Sequence, residues 1–369
     1  MIIGYDVRGK DITKDKAYDI GRRLGSLYDT LAVGHDNRRA SARIIDAFLD
    51  GLTDSGCDVH FLGMVPTPVI NYYGWKNMPA VSVTASHNPI GYTGFKLVSE
   101  FGSTLPIWHK VLKAKLRSGH GTVKKVSVVT NYIRYVTEGL RSKKKVVVET
   151  FSGVVTPIVS KALKRIGCKV RLVHSTIKPD YGGINPLPEG KNIKHLIRAR
   201  GDFKVALDGD ADRATFITDR VLNSSEVARA FVKQFEYTKV VASRDVDIRA
   251  KHVNIGRVYV EKYMVKGYRF GVEGSGHYYF GDYYPFSDGV LATLLFTQIN
   301  GQIPTIPIVR TSIPCKTKLQ DEFKCTKDGW VMLHRSKTED KLRVTVRAKT
   351  LKQAVEEANK IKKKMRRKC

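Results

Sequence analysis

The segment Val205–Arg213, VALDGDADR, sets Asp208, Asp210 and Asp212 at alternate positions directly after an apolar run. Carboxylates this close repel one another unless a cation sits among them. Hard oxygen ligands suit Mg²⁺, which keeps room for water or a phosphate oxygen. A calcium loop of the EF-hand kind opens with the same spacing. It wants Gly at its sixth position and Glu at its twelfth, where this chain has Arg213 and Asp219. An exposed acidic turn is the remaining reading. Arg213, next to the third Asp, is placed to grip a phosphate oxygen beside a metal.

A second stretch, AVSVTASHNPIGYTGFKL from Ala80 to Leu97, begins like a buried strand and breaks into Ser86, His87, Asn88 and Pro89. Turn chemistry is one reading, because Ser and Asn hydrogen-bond their own backbone. The other makes Ser86 a nucleophile or phosphate carrier at the carboxyl end of a strand, where α/β proteins build their sites. VEGSGH offers Glu273, Ser275 and His277 at alternate positions on a slim loop, a pattern suited to the vicinal hydroxyls of a sugar. HRSKTEDKLR gathers His334, Arg335, Ser336, Lys337, Thr338, Lys341 and Arg343, either a phosphate cradle or a basic surface turn. YDVRGK places Arg8 and Lys10 in a Gly-containing turn.

The elements that carry these loops alternate strand and helix. TLAVGHD, CDVHFLG and PAVSVTA read as strands around a helix at SARIIDAFLDGLTDSG. The pattern recurs with KKKVVVETFSG, TPIVSKALKRIG, CKVRLVH and FKVALDGDADR, and again more faintly from SSEVARAFVKQF to DGVLATLLFTQI. After GQIPTIPIVR it changes to the strand-like GWVMLHRS and KLRVTVRAKT and a closing Lys/Glu-rich helix. The expected fold is α/β: three similar modules with mixed sheets and a smaller α+β module at the C-terminus. The boundaries place the modules at residues 1–124, 125–218, 219–302 and 303–369.

The 369 residues and a 42% hydrophobic fraction allow several buried cores. No run reaches the roughly 20 apolar residues that span a bilayer, and the opening MIIGYDVRGKDITKD lacks a secretory signal pattern. Five scattered cysteines without a CxxC pair fit neither a disulfide framework nor a zinc site, so a reducing cytoplasm is expected. Lys and Arg total 64 against 35 acids, a net charge of +29 that favours anionic partners. The basic clusters RSKKK and KIKKKMRRK interleave no aromatics, which argues against nucleic acid and leaves small phosphorylated molecules.

In this order, YDVRG, VGHDNRRAS, VTASHNP, GFKL, DGDADR, VEGSGH and the cationic loop before Arg343 resemble the α-D-phosphohexomutase family, which includes phosphoglucomutase and phosphomannomutase. The resemblance implies four domains around a central cleft, each contributing one loop. By it, Ser86 carries a phosphoryl group with His87 beside it, and Asp208, Asp210 and Asp212 bind Mg²⁺ together with the phosphorylated Ser86. Arg213 holds the phosphoryl group, Arg8 and Lys96 lie near the reacting hydroxyl, and His277 shuttles its proton. Glu273 and Ser275 read sugar hydroxyls, while Ser336, Thr338 and Arg343 clamp the far phosphate. The implied activity interconverts hexose 1- and 6-phosphates of glucose or mannose, with a hexose 1,6-bisphosphate as activator.

Several positions depart from the family pattern. Thr93 stands for a usual Asn, Val272 for a common Gly, His334 for the usual Arg, Lys337 for Gly and Asp340 for Pro; Arg335 is the residue expected to act for the missing arginine. The chain is also shorter than typical members. A phosphoglucosamine mutase and a non-catalytic sugar-phosphate binder are the alternatives, and an intact Ser86 with all three aspartates speaks against the second.

Overall fold

Branched and aromatic residues concentrate in short runs that pair into four sheets. The computed structural model describes residues 2–317, 319–336 and 340–369, and it separates into two units, Met1–Gly301 and Gln302–Cys369. The first sheet has seven strands in the order Ile2–Ile3, Val7–Gly9, Thr93–Val98, Ala80–Val83, Thr30–His35, Asp58–Met64 and Val123–Lys125. Its centre is parallel, and Thr93–Val98 returns antiparallel to Ala80–Val83. The strand Ala80–Val83 is buried along its whole length, as strands covered on both faces are. Helices Lys14–Gly25 and Arg39–Thr53 pack backbone to backbone. A Cβ on Gly21 would stand 2.4 Å from the Phe48 carbonyl oxygen, and one on Gly51 2.2 Å from that of Tyr18.

The second sheet orders Ala214–Ile217, Phe203–Leu207, Lys145–Glu149 and Lys169–Val173; the last three are parallel and Ala214–Ile217 folds back antiparallel. The third runs Lys251–Val253, Val240–Ser243, Phe270–Val272, Tyr278–Phe280 and Tyr284–Ser287, with both parallel and antiparallel pairs. These are three α/β modules with mixed sheets. Aromatic contacts join the second and third: Phe216 stacks on Phe296 at 4.2 Å between ring centroids. Asn37 clamps the first to the second, donating to the carbonyls of Ser152 and Lys178 and accepting from Val154 N.

The C-terminal unit is a four-stranded antiparallel sheet, Ile308–Pro314, Lys341–Arg347, Gly329–Arg335 and Glu322–Thr326, with the helix Leu351–Met365. Thr350 and Gln353 form a capping box at the start of that helix. The cysteine reading needs correction here, because Cys315 and Cys369 form a disulfide that closes 54 residues. The fold brings a strand end and a helix end together, and spacing along the chain carries no sign of it. Cysteine usage therefore no longer argues for a reducing compartment. Among the described residues no helix is long and apolar enough to cross a membrane.

One buried acid makes stability depend on pH. Glu261, on helix Arg257–Met264, accepts from Thr104 N at 2.6 Å. Burial, opposed by Arg257, pushes its carboxyl from an ordinary 4.5 up to about 7. A raised acid favours folding fully below the unfolded value and loses that contribution as pH rises through the folded one. Glu261→Gln should therefore stabilise the chain at pH 8 by about 2–3 kcal/mol and change little at pH 4.5, read as urea midpoints at the two pH values.

Candidate active site

Ser86 sits in the turn after the Ala80–Val83 strand, fully buried, with a left-handed φ of 53°. That conformation is costly for a residue with a Cβ and persists only where neighbours enforce it. Thr84 Oγ1 accepts from Ser86 N at 2.8 Å and donates to Asp36 Oδ2 at 2.6 Å. The larger restraint is Arg38. Its buried guanidinium donates to the carbonyls of Ser86, Asn88, Pro89 and Tyr92. It also pairs with Asp36 at 3.2 Å and lies over the Tyr181 ring at 5.0 Å. From the other side Arg8 donates to Asn88 Oδ1 at 2.8 Å and to Ala85 O at 3.3 Å, and it pairs with Asp6. Arg257 completes that buried row through the second oxygen of Asp6.

The aspartate turn follows the Phe203–Leu207 strand, with Ala211 at φ 61°. Arg213 N donates to Asp208 Oδ1 at 3.2 Å and helps to close the turn. Gly209 is required: a Cβ there would lie 2.7 Å from the Ser86 carbonyl oxygen and 2.5 Å from the Tyr181 hydroxyl. This contact lets Ser86 Oγ donate to Asp208 Oδ2 at 2.7 Å, across 122 positions of sequence. His87 Nδ1 stands 3.2 Å from the same hydroxyl.

Ligand oxygens of Asp208, Asp210 and Asp212 lie within 4.8 Å of one another, all buried. Lys96, 3% exposed, donates to Asp210 and to Asp212, the latter at 2.8 Å. Thr67 Oγ1 adds a bond to Asp210 at 2.7 Å. Burial, reinforced by Asp210 and Asp212, raises the Asp208 carboxyl well above the usual range. For Asp212 burial is outweighed by Lys96, His277 and Arg213, which hold it well below. Oδ1 of Asp210 and Oδ1 of Asp212 are buried without a hydrogen bond, although His277 Nε2 is 3.4 Å from the latter. Buried carboxylate oxygens without donors, in an all-oxygen set, fit a hard divalent cation.

VEGSGH reaches the same place. Ala214 N donates to Gly276 O at 3.0 Å, and a Cβ on Gly276 would meet Ala214 O at 2.9 Å. His277 Nδ1 lies 2.8 Å from Ser275 Oγ and 3.2 Å from Glu273 Oε2, and Arg213 Nε donates to His277 Nε2 at 3.3 Å. Glu273 accepts from Gly256 N and from the Tyr279 hydroxyl, each at 2.9 Å. Ser86, His87, Arg8, Lys96, Asp208, Asp210, Asp212, Arg213, Glu273, Ser275 and His277 thus form one connected network within Met1–Gly301.

The remaining candidates belong to the C-terminal unit. Arg335 donates to Asp340 Oδ1 at 2.8 Å and to the Lys341 carbonyl, binding the loop to itself. Ser336 is buried and donates from its N to Lys341 O, while Arg343 pairs across the sheet with His334, whose Nδ1 meets Asp321 Oδ2 at 2.7 Å. Thr338 lies outside the described residues. Sequence reasoning assigned no role to Asp36, Asn37, Arg38 or Arg257. The available signal was two adjacent arginines and an Asp at the carboxyl end of the Thr30–His35 strand.

Comparison with known proteins bears on the fold and the family. The descriptions Phosphoglucomutase/phosphomannomutase, alpha/beta/alpha domains I, II and III match residues 3–114, 127–221 and 212–303. The Methanococcus maripaludis protein named phosphoglucosamine mutase is 27% identical, covering 93% of both chains. The phosphomannomutase/phosphoglucomutase of Pseudomonas aeruginosa is 28% identical over 81% of this chain and 73% of its own. A family member from Burkholderia thailandensis superposes with a TM-score of 0.81 at 21% identity, covering 98% of this chain and 97% of that one. An Aspergillus fumigatus N-acetylphosphoglucosamine mutase, solved with GlcNAc-6P and magnesium, superposes at 0.58 with 14% identity, over 90% and 81%. With three family domains matched in sequence order over most of its length, the chain belongs to the phosphoglucomutase/phosphomannomutase family.

Proposed function

We propose that this chain is a phosphohexomutase that interconverts hexose 1-phosphate and hexose 6-phosphate, of glucose or mannose, through a phosphorylated Ser86 and a bisphosphorylated sugar. The observation that carries the reading is the 2.7 Å hydrogen bond from Ser86 Oγ to Asp208, which joins a buried serine turn to the aspartate trio. Asp208, Asp210, Asp212 and the phosphorylated Ser86 would hold Mg²⁺. When bound, it would neutralise the negative charge that phosphoryl transfer spreads over the equatorial oxygens.

The chain's own residues have separable tasks in this reading. Arg8 and Arg38 hold the serine turn, so that the hydroxyl meets its partner without reorganisation. Arg213 grips the phosphoryl oxygens from the end of the aspartate turn. Lys96 balances two carboxylates and lies where the sugar hydroxyl reacts. His277, between Ser275, Glu273 and Arg213, takes the proton of that hydroxyl and returns it in the reverse step. Glu273 and Ser275 orient the sugar, and Arg335, Ser336, Thr338 and Arg343 hold its distant phosphate. The two half-reactions share one intermediate, unphosphorylated enzyme with the bisphosphate bound, so a hexose 1,6-bisphosphate should prime unphosphorylated enzyme by giving one phosphoryl group to Ser86 and leaving as the monophosphate.

Phosphoglucosamine is the second substrate class, favoured by the name of the Methanococcus relative. A coupled assay with glucose, mannose and glucosamine 1-phosphates, primed with glucose 1,6-bisphosphate and run with and without EDTA, separates the two. Turnover of at least one substrate, lost with EDTA and restored by Mg²⁺, is the expected result. No turnover of any substrate by protein carrying phosphate on Ser86 would overturn the reading.

A further inference from the structure

The C-terminal unit leaves the edge strand of its sheet exposed. Strands lie about 4.8 Å apart and a helix is about 10 Å across, so one helix covers two strands. Helix Leu351–Met365 rests on the strands Ile308–Pro314 and Lys341–Arg347. The helix also reaches Gly329–Arg335 at Val331 and Leu333, whereas the edge strand Glu322–Thr326 is exposed at every position. A cavity of about 390 Å³ lies between that side of the sheet and the helix. Its floor is Val331, Leu333 and Leu342, and its wall is Ile361 and Met365.

The rim is cationic. Lys360 and Lys364 stand about one turn apart on the helix, and Lys368 lies just past its end at Met365. Lys324 stands on the edge strand opposite, and among the described lining residues the acids are Glu322 and Glu357. Lys360 and Glu357 are 3.9 Å apart with well-exposed side chains, a pair worth little. A second copy of this helix would set lysines against lysines, so the groove is poorly matched to self-association.

We propose that this groove docks an amphipathic helix from an acidic partner protein. Apolar anchors at i, i+3 or i+4, and i+7 fill the cavity, and flanking carboxylates meet the lysine row. The docked helix covers the exposed edge strand and lies beside the helix already on that face.

The test uses the full chain and fluorescein-labelled helical peptides of about four turns, read by anisotropy. One carries a Leu stripe flanked by Glu, one has the same residues shuffled to break the stripe, and one carries the stripe flanked by Lys. The Glu-flanked stripe should bind saturably, and both others at least about tenfold more weakly. K360E/K364E should weaken the Glu-flanked peptide at least about tenfold and strengthen the Lys-flanked one, with mutase turnover unchanged. Lys324→Glu, on the opposite wall, should weaken the Glu-flanked peptide without altering the helix. Equal binding of the shuffled peptide would reduce the effect to bulk charge and overturn the proposal. Unchanged binding in both charge variants would do so too, as would displacement of the peptide by phosphatidylserine vesicles.

Discussion

Ser86→Ala should remove at least about 10⁴-fold of mutase turnover, because in the proposed cycle Ser86 is the group that carries the phosphoryl. The chain should stay folded. The lost hydroxyl donates to Asp208 and lies 3.2 Å from His87 Nδ1, and the Asp208 carboxyl is already pushed toward its neutral form by burial and its two neighbours. Removing such a partner costs on the order of 1 kcal/mol, well within what a domain tolerates. Three measurements decide the matter together: coupled turnover, intact mass, and the circular dichroism melt. Missing phosphate with a melt within a few degrees of wild type is the expected pattern. A Ser86→Ala protein that keeps even about a hundredth of wild-type turnover would remove Ser86 from the role.

Arg38→Met should do more harm to the fold than any other single change near the site. It keeps length and apolar bulk but deletes the donors to the carbonyls of Ser86, Asn88 and Pro89 and the partner of buried Asp36. Breaking a buried pair by removing one member costs about 3–5 kcal/mol, since the charge and the acceptors left behind stay dry. The left-handed backbone at Ser86 then loses its principal restraint. The urea midpoint should fall accordingly, and phosphate on Ser86 should fall even in soluble protein. Arg38→Lys should recover little, because an ammonium cannot fork to several carbonyls at once. A midpoint within about 1 kcal/mol of wild type would show that the turn stands without its clamp.

Much of this was open to reading before any coordinates. The three aspartates lie at alternate positions of one turn, so their repulsion is a local fact and needs no fold to be seen. The strand at Ala80–Val83 is short, apolar and followed by turn residues, and its period and its burial agree. What escaped reading depends on tertiary acceptors. Arg38 acts on backbone carbonyls, which carry no side-chain signature, so a buried clamp looks like any surface arginine. Helix Lys14–Gly25, KDKAYDIGRRLG, is half charged, and its short buried stripe of Ala17, Ile20 and Leu24 is completed by close approach at glycines 21 and 51. Strand Glu322–Thr326, EFKCT, alternates polar and apolar over only five residues and is exposed at every position, so no buried face marks it. The Cys315–Cys369 bridge spans 54 residues with no motif around either end.

The glycine contacts at 209 and 276 leave no room for a methyl group between the serine, aspartate and sugar loops. A carrier mounted that tightly cannot swing toward its cargo. On the proposed cycle the bisphosphate must do the turning, releasing one end and presenting the other while still inside. How often it escapes during that somersault, rather than the chemistry at the hydroxyl, then sets how many turnovers one priming event supports.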